Sequence, residues 1–427
     1  MVTVLGLWHL GCVTAACCAK HHKTIGLDLD EARINQLREG RAPLLEPGLD
    51  TLLQEGIQSG NLSFTNNPKE ALEKTSILWV TLDTPVDEED RADVDWVVDQ
   101  VRAVLPLLQP RTVVLISSQV PINTTRLLEQ EFESSGLLFA YSPENLRLGK
   151  ALEIFQNPDR IVVGTRHAET KHALTGLLEN FSTNILWMSI ESAEMTKHAI
   201  NSFLALSVTY ANELARLCER TGANAHEVAE GLKSESRIGP GAYVSPGGAF
   251  AGGTLARDVQ FLKNLGQQHQ ENISVIPAIL ESNQQHKNWA FSKLKQTLGP
   301  LKNKKIGILG LTYKPNTSTL RRSGAMEMSQ KLILEGAEVV ALDPGVSPSD
   351  EELGRVTLQS SAAELFQSAD AIVLMTEWSE FQSLDWEFLL PLMNQPIILD
   401  QNQFCADAVT NTKLNIEYYS VGVAQCY

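Results

Sequence analysis

The chain has 427 residues, 43% hydrophobic and 20% charged, which describes a globular protein with room for two or three cores. A formal net charge of −16 without a basic patch excludes a nucleic-acid surface or an anionic membrane as partner, because either would repel it. The six cysteines (Cys12, Cys17, Cys18, Cys218, Cys405, Cys426) show no metal-ligand spacing, and two are adjacent, so a disulfide framework and a metal centre are not expected. No apolar run reaches spanning length and no basic region precedes the N-terminal apolar stretch; a reducing cytoplasm is the expected compartment.

The first half alternates short β-branched runs with amphipathic stretches, the pattern of βαβ units around a parallel sheet. Its strands are expected in "VTVLGLW", "TIGLDLD", "SILWVTL", "TVVLISS", "LLFAYSP" and "RIVVGT". The first strand runs into Gly6-Leu7-Trp8-His9-Leu10-Gly11, a Gly-x-Gly-x-x-Gly turn whose middle glycine is replaced by Trp8. Asp28 follows about 20 positions later at the end of the second strand, where a carboxylate accepts from an adenosine ribose and disfavours a 2′-phosphate. This favours NAD over NADP. Two readings of Trp8 stay open: a dinucleotide binds with the indole turned away from its phosphates, or the indole fills the pyrophosphate site. His21 and His22 read as a helix C-terminus rather than metal ligands.

From Ser192 to Arg220 the period becomes that of one long helix, with Ile200, Phe203, Leu204, Ala211, Leu214, Ala215 and Cys218 on a broad apolar face. A helix of about 43 Å crosses between domains or lies in a subunit interface. Lys197 and Asn201, four apart, project from one side of it and can meet one substrate oxygen, the lysine handling a proton or oxyanion and the asparagine donating. Helical sequence continues to about Leu298, interrupted by "RIGPGAYVSPGGAFAGGTLARD" (Arg237 to Asp258), a segment rich enough in glycine and proline to be shaped around a ligand. After "GPLKNKK" the opening pattern returns: "IGILGLTYK", a helix from about Gly324 to Glu335, and "EVVALDPG" with an acidic strand end at Asp343. The expected architecture is α/β, with two Rossmann-like doubly wound parallel-sheet domains (1–188 and 299–427) joined by a central helical domain (189–298).

These stretches, with "LREGRAPLLEPGL", "TPVDEEDRADVDWV", "SPENLRLGKAL", "PDRIVVGT", "AEMTKHAINSF" and "TEWSEF", resemble the UDP-glucose/GDP-mannose dehydrogenase family nearly end to end. The resemblance implies NAD in the N-terminal domain, a nucleotide sugar, most simply a UDP-sugar, held partly in the C-terminal domain, and a homodimer built on the long helix. It implies oxidation of a sugar C6 alcohol in two hydride transfers, with a cysteine-bound intermediate between them. Lys197, Asn201 and Asp258 match the family's catalytic lysine, asparagine and aspartate, and Glu144 matches the first glutamate of its Pro-Glu-Phe-Leu motif. The cofactor set is then Gly6, Trp8, His9, Leu10, Gly11, Asp28, Arg33, Thr84 and Pro85. The substrate set is Arg237, which matches an arginine that reaches a neighbouring subunit's substrate, with Tyr243, Phe250, Gly252, Gly253, Arg257, Lys314 and Arg321.

Three positions depart from the family. Thr254 stands at the nucleophilic cysteine, Leu148 at the second glutamate, and Gln119 at the threonine of Ser-Thr-Val-Pro. All three departures concern the second oxidation: a thiol of pKa about 8.5 is readily tuned to a thiolate, whereas a threonine hydroxyl needs a base beside it, and no histidine lies in that loop. In the last domain Thr-Asp-Asp-x-Arg-Glu-Ser becomes "TSTLRRS" and Asp-Gly-Arg-Asn becomes "DQNQ" (Asp400 to Gln403). Three readings follow: a dehydrogenase limited to the alcohol–aldehyde step or its reverse, a non-catalytic binding homologue, and a full oxidation that uses another nucleophile.

Overall fold

The computed structural model describes residues 1–85, 93–144 and 146–424; Cys426 and parts of the stretches quoted around residues 86–92 and 145 lie outside them. The described chain forms two compact units, Met1–Ile200 and Asn201–Tyr427.

In the first unit the strands are β1 (Val2–Leu5), β2 (Thr24–Leu27), β3 (Leu62–Thr65), β4 (Ile77–Val80), β5 (Val113–Ile116), β6 (Leu138–Tyr141), β7 (Ile161–Thr165) and β8 (Ile185–Met188). Their order, β3-β2-β1-β4-β5-β6-β7-β8, reverses beside β1, which creates the crevice at the carboxyl ends of β1 and β4 where doubly wound folds bind ligands. The six expected strands are present, together with β3 and β8. The sheet is not wholly parallel: β6 and β7 run antiparallel, with Ala140 opposite Thr165 and Tyr141 opposite Gly164. Both faces are covered, which is why these strands read as continuous apolar runs rather than alternating ones. Helix α1 (His9–Ala19) packs so closely on β1 that a Cβ on Gly11 would lie 1.8 Å from the Gly6 carbonyl oxygen. Helix α2 (Glu31–Arg38) follows β2, its first turn capped by the Asp30 carboxylate.

Helix α3 (Ile190–Thr221) has 32 residues, close to the expected span, and is about 48 Å long. Ala211, Ala215 and Cys218 on it are buried as expected, but Phe203, placed with them by periodicity, is 67% exposed. Phe203, Tyr210 and Leu217 recur every two turns as an exposed apolar stripe.

In the second unit α4 (Thr254–Gln268), α5 (Val275–His286) and α6 (Trp289–Leu298) precede a six-stranded parallel sheet. Its strands are β9 (Lys305–Leu309), β10 (Glu338–Leu342), β11 (Thr357–Leu358), β12 (Ala371–Leu374), β13 (Ile397–Asp400) and β14 (Glu417–Tyr419), in the order β11-β10-β9-β12-β13-β14. Helix α7 (Gly324–Leu334) lies between β9 and β10. The helical segment expected as a middle domain does not keep a core of its own throughout, because Ala215, Cys218, Ala225, Trp289 and Leu294 share one with Ile306, Ile308 and Val339 of the sheet. Among the described residues no helix is long and apolar enough to cross a membrane.

The echo between Asp28 and Asp343 is real in topology and different in use. Asp343 Oδ2 accepts from the Leu311 amide (2.6 Å), the Thr312 amide and hydroxyl and the Trp378 indole, while Oδ1 accepts from the Gly345 amide (2.7 Å). That carboxylate is consumed in pinning the β9 turn. Asp343→Ala should therefore leave several buried donors unpaired and cost the second unit about 3 kcal/mol or more, read as a lower denaturant midpoint. NADH binding at the first unit should be retained in the same variant.

Candidate active site

In the first unit Gly6, Trp8, Asp28, Arg33 and Pro85 line one cleft of about 440 Å³, together with Trp96. Gly6 has φ +93°, and a Cβ there would meet the backbone of Leu82 at 2.8 Å, so the turn requires glycine. The N-terminus of α1 opens at this turn, supplying unpaired amides and a favourable dipole for a pyrophosphate. The Asp28 carboxylate accepts from the Leu7 amide (2.7 Å), the Asp30 amide (3.0 Å) and Arg33 Nη1 (2.8 Å). The Trp8 indole lies against the Arg33 guanidinium, 5.2 Å from ring centroid to Cζ.

Four residues of the expected cofactor set, His9, Leu10, Gly11 and Thr84, stand off the wall of the cleft. His9 Nε2 bonds Glu46 Oε2 (2.9 Å), and the same buried carboxylate accepts from the Gly149 and Ala151 amides at 2.8 and 2.9 Å. Against the desolvation that burial imposes, the Gly149 amide, His9 and the Ala151 amide hold the Glu46 carboxyl below its usual range. Leu10 lines a small apolar cavity with Trp79 and Phe155, and the Thr84 hydroxyl donates to the Gln119 carbonyl (2.7 Å).

Lys197 and Asn201 sit one turn apart on α3 and are both buried. In the first unit the Lys197 ammonium donates to the Glu144 carbonyl, while the Glu144 carboxylate accepts from the Leu146 amide. Glu194, three residues before Lys197 and fully buried, accepts from the amides of Asn123 and Thr125 and so ties the chain after β5 to the same helix. Burial pushes the Glu194 carboxyl up. In the second unit Asn201 Nδ2 donates to Asp258 Oδ2, with Asp258 buried on the first turns of α4.

The glycine-rich segment is anchored atom by atom. The Gly247 amide donates to Asn212 Oδ1 (3.0 Å) and its carbonyl accepts from His286 Nε2 (2.8 Å). Asn283 takes both the amide and the carbonyl of Phe250 (3.0 and 2.8 Å). The Gly248 amide donates to Asn402 Oδ1 (2.7 Å), and the Tyr313 hydroxyl donates to the Gly252 carbonyl (3.3 Å). Gly253, with φ +106°, forms the N-cap of α4, and exposed Thr254 is its first residue. The Arg257 Nε is buried without a partner. Sequence reasoning missed Asn212, Asn283 and His286; polar residues interrupting the apolar faces of α3 and α5 were the available signal.

Beside that segment the second unit has a cleft of about 150 Å³ whose wall includes Phe250, Lys287, Tyr313, Arg322, Lys331 and Asn402. Arg322, not the expected Arg321, is on this wall; Arg321 is exposed, and Lys314 lies outside the lining. Tyr243 is 62% exposed, and Arg237 is exposed with its Nε 3.0 Å from Glu235 Oε1. The described cysteines are all buried free thiols, and burial pushes those of Cys12, Cys17, Cys18 and Cys405 up, away from thiolate character.

A reversed parallel sheet with a glycine turn, a helix N-terminus and a ribose-facing aspartate defines an NAD-binding oxidoreductase fold, and the spare acceptor on Asp28 fits the cofactor's ribose. The chain belongs to the UDP-glucose/GDP-mannose dehydrogenase family. Its models match as NAD binding domain over residues 1–182, central domain over 191–285 and UDP binding domain over 307–407. The chain is 32% identical to the UDP-glucose 6-dehydrogenase of Rhizobium meliloti (strain 1021) over 99% of both chains. It is also 32% identical to that of Rickettsia felis, over 99% of this chain and 96% of the relative. A solved UDP-glucose dehydrogenase from Pyrobaculum islandicum superposes with a TM-score of 0.85 at 28% identity, over 99% of this chain and 98% of the other. The cofactor is NAD, and the reaction class is NAD-dependent dehydrogenation of a nucleotide sugar.

His286 gives the glycine-rich segment an acid limit. Burial, with the Arg216 guanidinium at Nδ1 (3.0 Å), lowers its pKa from 6.5 to about 4 even though the Gly247 carbonyl favours the charged form. The folded state thus holds the neutral ring, and its stabilisation is complete above pH 6.5. It is lost as pH falls from 6.5 toward 4, by about 3 kcal/mol in all. His286→Gln should flatten the pH dependence of the unfolding midpoint across that window; an unchanged slope would show that another group titrates there.

Proposed function

We propose that the chain oxidises the C6 alcohol of a UDP-sugar to the aldehyde, as a homodimer, and does not carry the product on to a uronate. The observation that carries the reading is that exposed Thr254 opens α4; the reading assigns it, on an ungapped match to the family's motif, to the position of the nucleophilic cysteine. Asp258, one turn further on and bonded to Asn201, is assigned to the sugar hydroxyl's proton, which leaves no separate base assigned to the Thr254 hydroxyl. Among the described residues the thiols of Cys12, Cys17, Cys18 and Cys405 are buried and pushed up by burial, away from the thiolate that a substitute nucleophile would need. Leu148, 44% exposed, and Gln119 offer neither the carboxylate nor the hydroxyl that would manage a hydrolytic water.

The first oxidation keeps its residues. When bound, NAD supplies the hydride acceptor. Lys197 and Asn201 donate to the C6 oxygen, Asp258 receives the hydroxyl proton, and the C6–H bond breaks with its electron pair leaving as hydride. The balance is one alcohol and one NAD⁺ to one aldehyde, one NADH and one proton. The UDP binding domain supports the nucleotide assignment. Glu144, Phe250, Gly252, Gly253 and Arg257 are assigned to shaping the sugar site, with Lys314, Arg321 and Tyr243 toward the nucleotide end.

With a UDP-sugar substrate the protein should release one NADH per sugar, leaving an aldehyde that a hydrazine reagent traps. Thr254→Cys should stall as a covalent sugar-nucleotide thioester, seen by intact mass and removed by hydroxylamine. Turnover to the uronate should require Leu148→Glu and Gln119→Thr in addition. Lys197→Ala should lower the rate by about 10²-fold or more with NADH affinity unchanged. Two NADH and a uronate from the unmodified protein would overturn the single-step reading.

Phe203, Tyr210 and Leu217 support the homodimer, because an exposed apolar stripe of this regularity suits helix-on-helix packing. Arg237, extended and largely solvent-facing, is assigned to the partner's substrate. Tyr210→Glu with Leu217→Glu should convert a dimer into a monomer by sedimentation at micromolar concentration. A monomeric unmodified protein refutes the assignment.

A further inference from the structure

The cofactor cleft holds an arrangement that a glycine at position 8 does not provide. The backbone of Trp8 is extended (φ −87°, ψ −152°), a conformation open to any residue, so the side chain is tolerated there without strain. Its indole supports one face of the Arg33 guanidinium at 5.2 Å, while Nη1 reaches Asp28 Oδ2 at 2.8 Å and Nη2 reaches Asp30 Oδ2 at 3.4 Å. One side of the Arg33 guanidinium and both of its terminal nitrogens are thereby engaged.

Asp28 is nearly full as well. Oδ2 accepts from Leu7 N and Arg33 Nη1, which uses both of its lone-pair directions. Oδ1 accepts from Asp30 N and keeps one direction open. Asp28 therefore offers one open acceptor direction at the ribose corner. An arginine close to a ribose is ordinarily what accommodates a 2′-phosphate. Here the arginine is present and already committed.

We propose that Trp8 is a specificity-determining residue of the cofactor site: by holding the Arg33 guanidinium over its indole and in reach of Asp28 and Asp30, it leaves the corner able to accept a 2′-hydroxyl and unable to pair a 2′-phosphate. This rests on NAD being the cofactor. A hydroxyl donates to the remaining Asp28 acceptor. A phosphate brings only further negative charge and acceptor oxygens to a carboxylate that has no cation to spare. A cation–π contact at a partly exposed site corresponds to a factor of a few up to about tenfold, the range in which Trp8 should act.

The test is titration of the whole protein with NADH and with NADPH, followed by nicotinamide fluorescence, for the unmodified chain, Trp8→Gly, Trp8→Phe and the double variant Trp8→Gly/Arg33→Ala. The unmodified chain should prefer NADH strongly. Trp8→Gly should narrow the preference by about threefold to tenfold, chiefly through tighter NADPH binding, and Trp8→Phe should keep most of it because a ring still carries the cation. The gain in NADPH binding should vanish in the double variant, identifying Arg33 as the group that Trp8 restrains. The proposal is overturned if Trp8→Gly changes both affinities by the same factor, or if its NADPH gain survives Arg33→Ala. An unmodified chain that binds neither dinucleotide overturns the cofactor assignment itself, a distinct result.

Discussion

A backbone that leaves regular secondary structure inside a protein must find partners for its amides and carbonyls, and the glycine-rich segment from Gly247 to Gly253 meets that constraint with side chains. Asn212, Asn283, His286 and Asn402 replace the missing ladder, each matched to particular main-chain atoms. Leaving one such group unpaired costs about 1–3 kcal/mol, so the segment is held in one shape rather than drawn from an ensemble. Its glycines follow from the same constraint: a Cβ on Gly247 would lie 2.3 Å from the Asn402 side-chain oxygen. The placement of Thr254 and Asp258 at the head of α4 depends on it.

The two sheets show one topology put to two uses. At the end of β2, Asp28 holds the Leu7 and Asp30 amides and Arg33 and keeps an acceptor toward a cleft. At the end of β10, Asp343 spends its bonds on the turn after β9, on Gly345 and on Trp378, with Oδ2 alone taking four donors. A strand–turn–strand echo therefore identifies a fold without identifying a ligand site. What separates the two cases is how many neighbouring donors the carboxylate holds, five for Asp343 against three for Asp28.

The chemistry of the site divides along a similar line. Hydride removal from an alcohol needs positioned donors and a proton acceptor, roles that the proposed reading gives to Lys197, Asn201 and Asp258. Covalent capture of the aldehyde needs a nucleophile that is anionic at neutral pH; the difference between a thiol and a threonine hydroxyl is several pKa units, and each unit is about 1.4 kcal/mol. A helix N-terminus such as that of α4 favours an anion by about 0.3–1 kcal/mol, which is too little to close the gap. On the proposed reading, a threonine at position 254 separates the two oxidations energetically.

The amino-acid sequence alone determined the α/β class, the strands β1, β2 and β4 to β7, the long helix to within a few residues, and the NAD-type turn, because each is encoded by local periodicity, glycine placement or a single acidic strand end. It also named Lys197, Asn201, Asp258 and Thr254 through motif position. Only the tertiary structure decided the antiparallel pairing of β6 with β7, the exposure of Phe203, the choice of Arg322 over Arg321 on the cleft wall, and the sharing of one core between α3, α6 and the second sheet. The reason is that these are pairings across distant parts of the chain: a periodicity states which residues share a face, but not what that face meets. The Trp8–Arg33 contact is the sharpest instance, since 24 intervening residues fold away between them before indole and guanidinium meet.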